Sequence, residues 1–271
     1  MVRRSGDTLL EGLADAPTRR RGLAIWALIW TGILSFAFVG VTVVTLTLWF
    51  TDPDYRHTTP LVDLAFFALG ALIAVGVAVQ VRHPERNVAG AQQALIGTVA
   101  LAVTGAVGAR VEPAVGGMVL AAVVLVLVTL HPERRSVVRP GPGSSPALLV
   151  LAGVAAVPAA WYAVDLLVLA RAAEESCFGG QCVHGDRLAE MAALSVAVVA
   201  LVAAAGGRPA GARVSIWSAG VGAVAVSVAA LALPDVEGAP LPVWAAAGLV
   251  WGVLVVLLGE RDVRRVSRAP R

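Results

Sequence analysis

Apolar stretches of about 20 residues, separated by short polar segments, recur along almost the whole of this 271-residue chain. An α-helix needs about 20 apolar residues to cross roughly 30 Å of hydrocarbon, because it rises 1.5 Å per residue. The pattern therefore predicts an all-α, polytopic transmembrane helical bundle. Eight spans are predicted, at residues 23–50, 61–81, 88–109, 114–130, 147–170, 188–205, 212–233 and 242–259.

The composition agrees with a chain that is surrounded by lipid. It is 58% hydrophobic and 14% charged, whereas a soluble domain is about 45–50% apolar and about 25% charged. The net charge of +3 does not indicate a nucleic-acid partner, because the basic residues flank the apolar runs and form no single patch. The lipid bilayer is the predicted surrounding, and no cofactor is predicted.

The basic residues predict the orientation of the spans. All 21 are arginine, and only Arg56, Arg110, Arg171 and Arg187 fall in the predicted outer segments, which leaves 17 on the other side. Short cytoplasmic loops carry such an excess, so both termini are predicted inside, N-in and C-in. Arginine without lysine, with abundant Ala, Val and Gly, is typical of a GC-rich bacterial genome. We therefore expect a multi-pass protein of the bacterial cytoplasmic membrane.

Proline, glycine and charge divide the chain into segments. The Pro- and Gly-rich stretch at 137–146 cannot continue a helix and is the clearest linker. The predicted segments are a cytoplasmic N-terminal tail (1–22), spans one to four (23–136), the linker (137–146), spans five to eight (147–259) with an outer cysteine loop (171–187), and a basic cytoplasmic tail (260–271).

Both cysteines of the chain lie in the outer loop. Cys177 and Cys182 enclose Gly179 and Gly180, which permit the backbone angles that a small ring needs. Disulfides persist on the outer side of a membrane, so a structural disulfide between them is predicted. The alternative is a metal site formed by Cys177, Cys182 and His184, although this spacing fits none of the common zinc patterns.

The tetrapeptide His-Pro-Glu-Arg occurs twice, each time where a span ends on the predicted cytoplasmic side. Two interpretations stay open. Each copy is a helix stop, because His and Arg suit a helix C-terminus and Pro ends the helix. Alternatively, the copies are paired hooks that bind a protein partner or a lipid headgroup. The residues are His83, Pro84, Glu85 and Arg86, and His131, Pro132, Glu133 and Arg134.

Asp165 is an ionisable residue inside span five, and such a residue is a candidate for function. Tyr162 lies on the same helical face. With Glu190 and Asp63, these residues form a candidate outward-facing pocket for an ion or substrate. The alternative is a structural ion pair between Asp165 and Arg171.

Other polar and small residues predict close helix packing. Gln80, Gln92 and Gln93 are expected to form hydrogen bonds between helices. Gly248 and Gly252, four residues apart in span eight, favour close approach of a second helix. That helix can belong to the same chain or to a second copy, so a homo-oligomer is among the predicted partners.

One stretch carries a resemblance to known proteins. Residues Gly70–Gly97, with Gly-Ala-Leu-Ile-Ala followed by Arg-His-Pro-Glu-Arg-Asn-Val-Ala-Gly, resemble multi-span modules of actinobacteria, including membrane domains of some sensor kinases. His131–Arg135 and His184–Met191 are similar to small uncharacterised actinobacterial membrane proteins. The Pro-Ile-Gly-Trp ending of the sensor turns is absent after Asn87. The resemblance implies the lineage and the membrane class, and it implies no active residues.

Three classes of function follow from these features. The first is a non-enzymatic membrane component that acts by binding a membrane or cytoplasmic protein partner, or by assembly. The alternative is a small transporter or permease coupled to cations or protons through the outward-facing carboxylates. An enzyme is not predicted, because no nucleophile elbow, phosphate-binding loop or His-Glu-x-x-His motif occurs in the chain.

Overall fold

A computed structural model describes residues 5–51, 60–139, 141, 143–173, 177–178, 181–182 and 184–268. Side chains are described for all of these residues except 5–17, 19, 38–39, 41–42, 45–46, 48–49, 60, 177–178, 181–182, 184 and 266–268. The described residues form nine α-helices, one 3₁₀ turn and two short strands. The helices are α1 (Ser5–Thr51), α2 (Pro60–Ala78), the 3₁₀ turn (Pro84–Arg86), α3 (Val88–Val107), α4 (Val111–Leu130), α5 (Arg134–Val137), α6 (Pro146–Ala172), α7 (His184–Gly206), α8 (Ala212–Ala232) and α9 (Pro242–Arg268); strands β1 (Cys177–Phe178) and β2 (Gln181–Cys182) pair antiparallel.

The all-α bundle predicted from the apolar pattern is confirmed. Among the described residues, seven helices are long and apolar enough to cross a membrane, namely α2, α3, α4, α6, α7, α8 and α9. The predicted first span, residues 23–50, lies within the continuous helix α1, and part of its side chains lie outside the described set.

Successive helices run in opposite directions, so their connections gather at two ends. The connections at 79–87, 131–139 and 207–211 meet at one end, called here the turn end. The connections at 108–110 and 233–241 and the two short strands belong to the other, called the hairpin end. Both His-Pro-Glu-Arg copies are at the turn end, and Cys177 and Cys182 are at the hairpin end.

Two helices occupy the centre of the bundle. The apolar windows of α7 and α3 are 67% and 61% buried, whereas those of α6 and α9 are 17% and 22% buried. Small side chains on α7, such as Ala189, Ala193 and Ala197, let neighbours approach it from several sides, and α7 packs against α2, α3, α6 and α8. One buried cluster joins α2 and α3 to α6–α9. The packing therefore crosses the predicted division between spans one to four and spans five to eight.

Helix α1 is attached to the bundle near the turn end. Leu23 and Ala27 are fully buried and pack in a second cluster that includes Val77 of α2 and Leu127 of α4. The indole N–H of Trp26 donates to the carbonyl oxygen of Val123 at 3.1 Å.

Several helices extend beyond their predicted limits. The segments at 5–22 and 260–268, predicted as tails, continue α1 and α9 as helix. The predicted cysteine loop is shorter, because Arg171 still belongs to α6 and α7 begins at His184. Charged side chains favour two of these extensions: Asp186 lies in the first turn of α7, and Arg264 on α9 is 3.8 Å from Glu260, one turn before it.

Glycine determines where α8 and α9 touch. A Cβ atom at Gly252 would lie 2.8 Å from the carbonyl oxygen of Gly220, and one at Gly248 would lie 2.6 Å from the hydroxyl of Ser227. The close packing predicted for Gly248 and Gly252 is confirmed, and it occurs within the chain. A homo-oligomer stays a prediction.

Helices α3 and α4 cross at the same kind of contact. A Cβ atom at Gly117 would overlap the backbone nitrogen of Ala102, and one at Gly105 would overlap the backbone of Ala114. Because the obstacle in each case is backbone, a larger residue must push the two helices apart.

Gly117→Ala tests this crossing, and the adjacent Gly116→Ala is its matched control. A Cβ atom at Gly116 meets nothing within 4 Å. We expect Gly117→Ala to lower the free energy of unfolding by about 1–3 kcal/mol and Gly116→Ala to change it little. Thermal unfolding of the purified variants in mild detergent measures both. Equal effects at the two positions would contradict the close approach of α3 and α4.

Candidate functional site

The two His-Pro-Glu-Arg copies contact each other at the turn end. Nε2 of His131 lies 3.1 Å from the carbonyl oxygen of Pro84, and His131 is 2% exposed. The backbone N–H of Glu133 donates to Nδ1 of His131 at 3.0 Å. Because Nδ1 accepts this bond, the proton of the neutral ring is on Nε2, which donates to Pro84. The second copy of the motif thereby holds the first.

The two copies have different surroundings. His131 is buried, whereas His83 is exposed, with its Nδ1 4.0 Å from Oε1 of Glu85. Glu85 Oε1 also lies 3.6 Å from Nη2 of Arg20, so α1 contacts the first copy. The copies are therefore not equivalent, since one histidine is internal and the other faces outward.

The hydrogen bonds predicted for the glutamines between helices are confirmed for Gln92 and Gln93, whereas Gln80 bonds within its own connection and to the end of its own helix. Gln80 donates to the carbonyl of Asn87 at 2.8 Å, and Gln92 donates to the carbonyl of Val137 at 3.0 Å. Gln93, fully buried, donates to the carbonyl of Leu72 at 2.7 Å and to the hydroxyl of Ser218 at 3.0 Å. These amides fix the connections at the turn end to the helices beneath them.

A third connection, 207–211, packs against the first connection at the turn end. The N–H of Ala89 donates to the carbonyl of Ala210 at 2.9 Å. Gly211 has a φ of +79°, and a Cβ atom there would lie 2.8 Å from the carbonyl oxygen of Arg86, so the position favours glycine on both grounds. Arg208 forms two hydrogen bonds to the carboxylate of Asp262 on α9, one of them 2.9 Å from Nε to Oδ2.

Arginines project from this fixed framework. We call the exposed set Arg82, Arg86, Arg134, Arg135 and Arg139 the basic turn surface. In the described part of the chain none of the five forms an ion pair.

Arginine has the opposite role at the hairpin end, where Arg187 is enclosed by acidic and aromatic side chains. Its Nη1 donates to Oε2 of Glu190 at 2.8 Å, and its Nε lies 3.2 Å from Oδ1 of Asp63. The Nε–H does not point at Asp63, so that contact is an ion pair and not a hydrogen bond. The guanidinium carbon is 3.8 Å from the ring centroid of Phe66, within the range of a cation–π contact.

This arrangement places two carboxylates around one guanidinium. The side chains of Arg187, Asp63 and Glu190 are 17%, 11% and 11% exposed. When all three are ionised, the group carries a surplus negative charge. The two carboxylates were predicted as site residues from the sequence, whereas Arg187 was not. Its spacing of three residues from Glu190 on a helix is the signal that could have identified half of the group.

Two further arginines at the hairpin end close helix termini. Arg110 donates to the carbonyls of Ala170 and Ala173, at the C-terminus of α6. Arg171 donates to the carbonyl of Val107, at the C-terminus of α3, at 2.8 Å. Arg110 therefore satisfies carbonyls at the C-terminus of α6, and Arg171 satisfies one at the C-terminus of α3. A positive charge at a helix C-terminus also suits the helix dipole.

The predicted pocket residues do not all meet. Asp63 and Glu190 come together through Arg187. Tyr162 instead donates its hydroxyl to the carbonyl of Gly238 at 2.5 Å. Asp165 is exposed on α6, whereas Glu190 is buried. Arg171, the predicted alternative partner of Asp165, bonds the backbone of α3.

The short strands place the two cysteines opposite each other. In the antiparallel register, Cys177 is paired with Cys182 and Phe178 with Gln181. The separation of paired Cα atoms, about 4.5–5.5 Å in such ladders, suits a disulfide. The side chains of Cys177, Cys182 and His184 lie outside the described set, so the disulfide and the alternative metal site stay predictions.

The apolar helices, with their charge gathered at two ends, define a multi-pass, all-α membrane protein. Comparisons with protein-family models, with curated proteins and with solved structures find no match for this chain. What the protein does must therefore be inferred from its own residues.

Arg187→Gln tests the buried ion group. We expect it to lower the free energy of unfolding by about 3–5 kcal/mol, because two buried carboxylates lose their counter-charge. Asp165→Asn, an exposed change in a neighbouring helix, is the control and should change stability by less than about 0.5 kcal/mol. The triple variant D63N/R187Q/E190Q should recover most of the loss in thermal unfolding. Equal stability of R187Q and D165N would show that Arg187 is not required.

The contact between His131 and Pro84 predicts a pH dependence. Burial lowers the pKa of His131 below its ordinary 6.5, against the opposing effects of the bond to Pro84 and of Glu133 and Glu85. The unfolded chain then binds the proton more readily than the folded chain. The free energy of unfolding should therefore fall as the pH drops from about 6.5 through the folded-state pKa.

Thermal unfolding at several pH values between about 7.5 and about 5 measures this dependence. His131→Gln should flatten the change over this range, because the titrating ring is gone. His83→Gln, which replaces the exposed histidine of the first copy, should leave the wild-type profile. A profile that depends on His83 and not on His131 would contradict the assignment.

Proposed function

We propose that this protein is a non-enzymatic component of the bacterial cytoplasmic membrane that binds an acidic protein partner through the basic turn surface. One observation carries the proposal: five exposed arginines, which form no ion pair within the described part of the chain, project from a framework that internal hydrogen bonds hold in place. The positive-inside distribution of arginine supports a cytoplasmic position for this surface.

The hydrogen-bonded backbone beneath these arginines distinguishes them from arginines that only set the orientation of the spans in the membrane. An arginine with that role alone does not need a fixed backbone. Here Arg86 follows Pro84, whose carbonyl is bound to His131, while Arg134 and Arg135 lie in α5, whose Val137 carbonyl is bound to Gln92. A fixed backbone that presents several guanidinium groups suits recognition of carboxylates, because each guanidinium fork can bind two oxygens.

The hairpin end gives less support to the transporter alternative. Glu190 and Asp63 are bound to Arg187, and Asp165 is exposed on α6. A coupled transporter would be favoured if these carboxylates faced a common space. Arg187 is better accounted for as a structural residue, and a Cys177–Cys182 disulfide at this end, supported by the strand register, belongs to the same proposal.

Site-specific photo-crosslinking in living cells tests partner binding. A photoreactive residue at exposed Ser136, between Arg135 and Arg139, should yield one defined cross-linked protein. The same residue at exposed Val164 on α6 is the control for random collision. The variant R134Q/R135Q should lower the yield several-fold, because the charge that attracts an acidic surface is reduced.

The control for R134Q/R135Q is a second double substitution that removes the same amount of charge elsewhere. R261Q/R265Q removes two exposed arginines at the same end, on α9, and should leave the cross-link unchanged. If R134Q/R135Q has no effect, or if Ser136 and Val164 give the same products, the proposed partner surface is wrong.

A further inference from the structure

One face of α9 changes from apolar to basic as it approaches the turn end. Val250, Val253, Leu254 and Leu257 are 55%, 43%, 38% and 60% exposed, and they are spaced by three or four residues. Arg261, Arg264 and Arg265 continue the same spacing and are also exposed. Residues spaced in this way form one stripe along a helix. The stripe therefore presents hydrocarbon first and positive charge next.

The dimensions of the stripe match those of a phospholipid. Arg261 is about 6 Å and Arg265 about 12 Å along the axis from Leu257, at 1.5 Å per residue. The headgroup region of a bilayer leaflet is about 5–8 Å thick. With Leu257 at the end of the hydrocarbon, Arg261 lies at the depth of the headgroups, and Arg265 lies just above them, from where its long side chain can reach back to a phosphate.

An open cleft lies where the stripe changes from apolar to basic. Its volume is about 420 Å³, and it is lined by Leu257, Glu260, Arg261, Arg264 and Arg265. This volume exceeds that of a single phosphate group, and the lining combines an apolar side chain with three cationic ones.

The acidic residue in the cleft is already neutralised by the protein. Glu260 accepts two hydrogen bonds from Arg213, at 2.5 and 2.8 Å, and one from the indole of Trp217 at 2.7 Å. Asp262, two residues further on, is held by Arg208 and is also attracted by Arg265. Because Arg208 and Arg213 already balance these two carboxylates, Arg261, Arg264 and Arg265 give the described residues around the cleft a surplus of positive charge. Trp217 is 45% exposed, and such half-exposed tryptophans typically lie at the headgroup level.

We propose that this face of α9 binds an anionic phospholipid of the adjacent leaflet, with the phosphate between Arg261 and Arg265 and an acyl chain against Leu257. Charge complementarity selects the headgroup, and the exposed apolar stripe selects a ligand with a tail. A free phosphate ion would satisfy the arginines but would leave the apolar stripe unused. This site is separate from the basic turn surface and does not depend on a protein partner.

Native mass spectrometry of the protein released from nanodiscs tests the proposal. The discs contain phosphatidylcholine with a minor fraction of phosphatidylglycerol as the anionic probe. The wild type should retain phosphatidylglycerol in preference to phosphatidylcholine. R261Q/R265Q should weaken this retention by on the order of 30-fold, because each interfacial arginine contributes about a factor of five. Arg264 is left in place, since it also lies 3.8 Å from Glu260.

R134Q/R135Q is the matched control, since it removes the same charge from the basic turn surface, and it should retain the lipid as the wild type does. Thermal unfolding in the same discs is a second readout. Phosphatidylglycerol should raise the unfolding temperature of the wild type and of R134Q/R135Q, but not of R261Q/R265Q.

Three outcomes would overturn the proposal. The first is equal retention of phosphatidylglycerol by all three proteins, and the second is no preference over phosphatidylcholine in the wild type. The third is a wild type that is stabilised by inorganic phosphate and not by phosphatidylglycerol, which would assign the cleft to a free anion. A wild type that retains the lipid but gives no defined cross-link at Ser136 would contradict partner binding alone.

Discussion

Hydrocarbon offers no hydrogen-bond partner, so a polar group within a span is costly unless it finds one inside the protein. Thr98 and Thr104 return their hydroxyls to carbonyls of their own helix. Gln93, which is too long for that, reaches two neighbouring helices, α2 and α8, and thereby joins them. At the turn end, burial in the protein imposes a similar need on Gln80, Gln92 and His131, which also bond to backbone carbonyls.

The arginines have different roles at the two ends of the bundle. At the hairpin end, the described arginines 110, 171 and 187 are bound to carbonyls, carboxylates or an aromatic ring. At the turn end, hydrogen bonds from His131 and the glutamines hold the backbone, so arginine is not needed for that task. Arg208 and Arg213 at this end pair with carboxylates of α9, whereas the guanidinium groups of the basic turn surface remain available for a partner.

The limits of what the sequence predicts can be seen at particular residues. The spans could be predicted because their length is set by the bilayer and their ends by charge, Pro and Gly. The contact between His131 and Pro84 could not, because identical tetrapeptides give no reason for one histidine to be buried and the other exposed. Arg187 and Glu190 are three residues apart on one helix, but the position of Asp63 beside them depends on the packing of α2 against α7. The basic face of α9 was missed because the segment after residue 259 was predicted as a tail, whereas its face is defined only if the helix continues.

The reciprocal bonds of Arg110 and Arg171 bear on how the chain is built during synthesis. Arg110 emerges from the ribosome about 60 residues before Ala170, so the hairpin of α3 and α4 enters the membrane with this guanidinium still hydrated at the surface. Its bond forms only after α6 has crossed and brought its C-terminal carbonyls to the same level. The bonds of Arg110 to α6 and of Arg171 to α3 can therefore form only after both segments have been made, and until then water must solvate the two guanidinium groups.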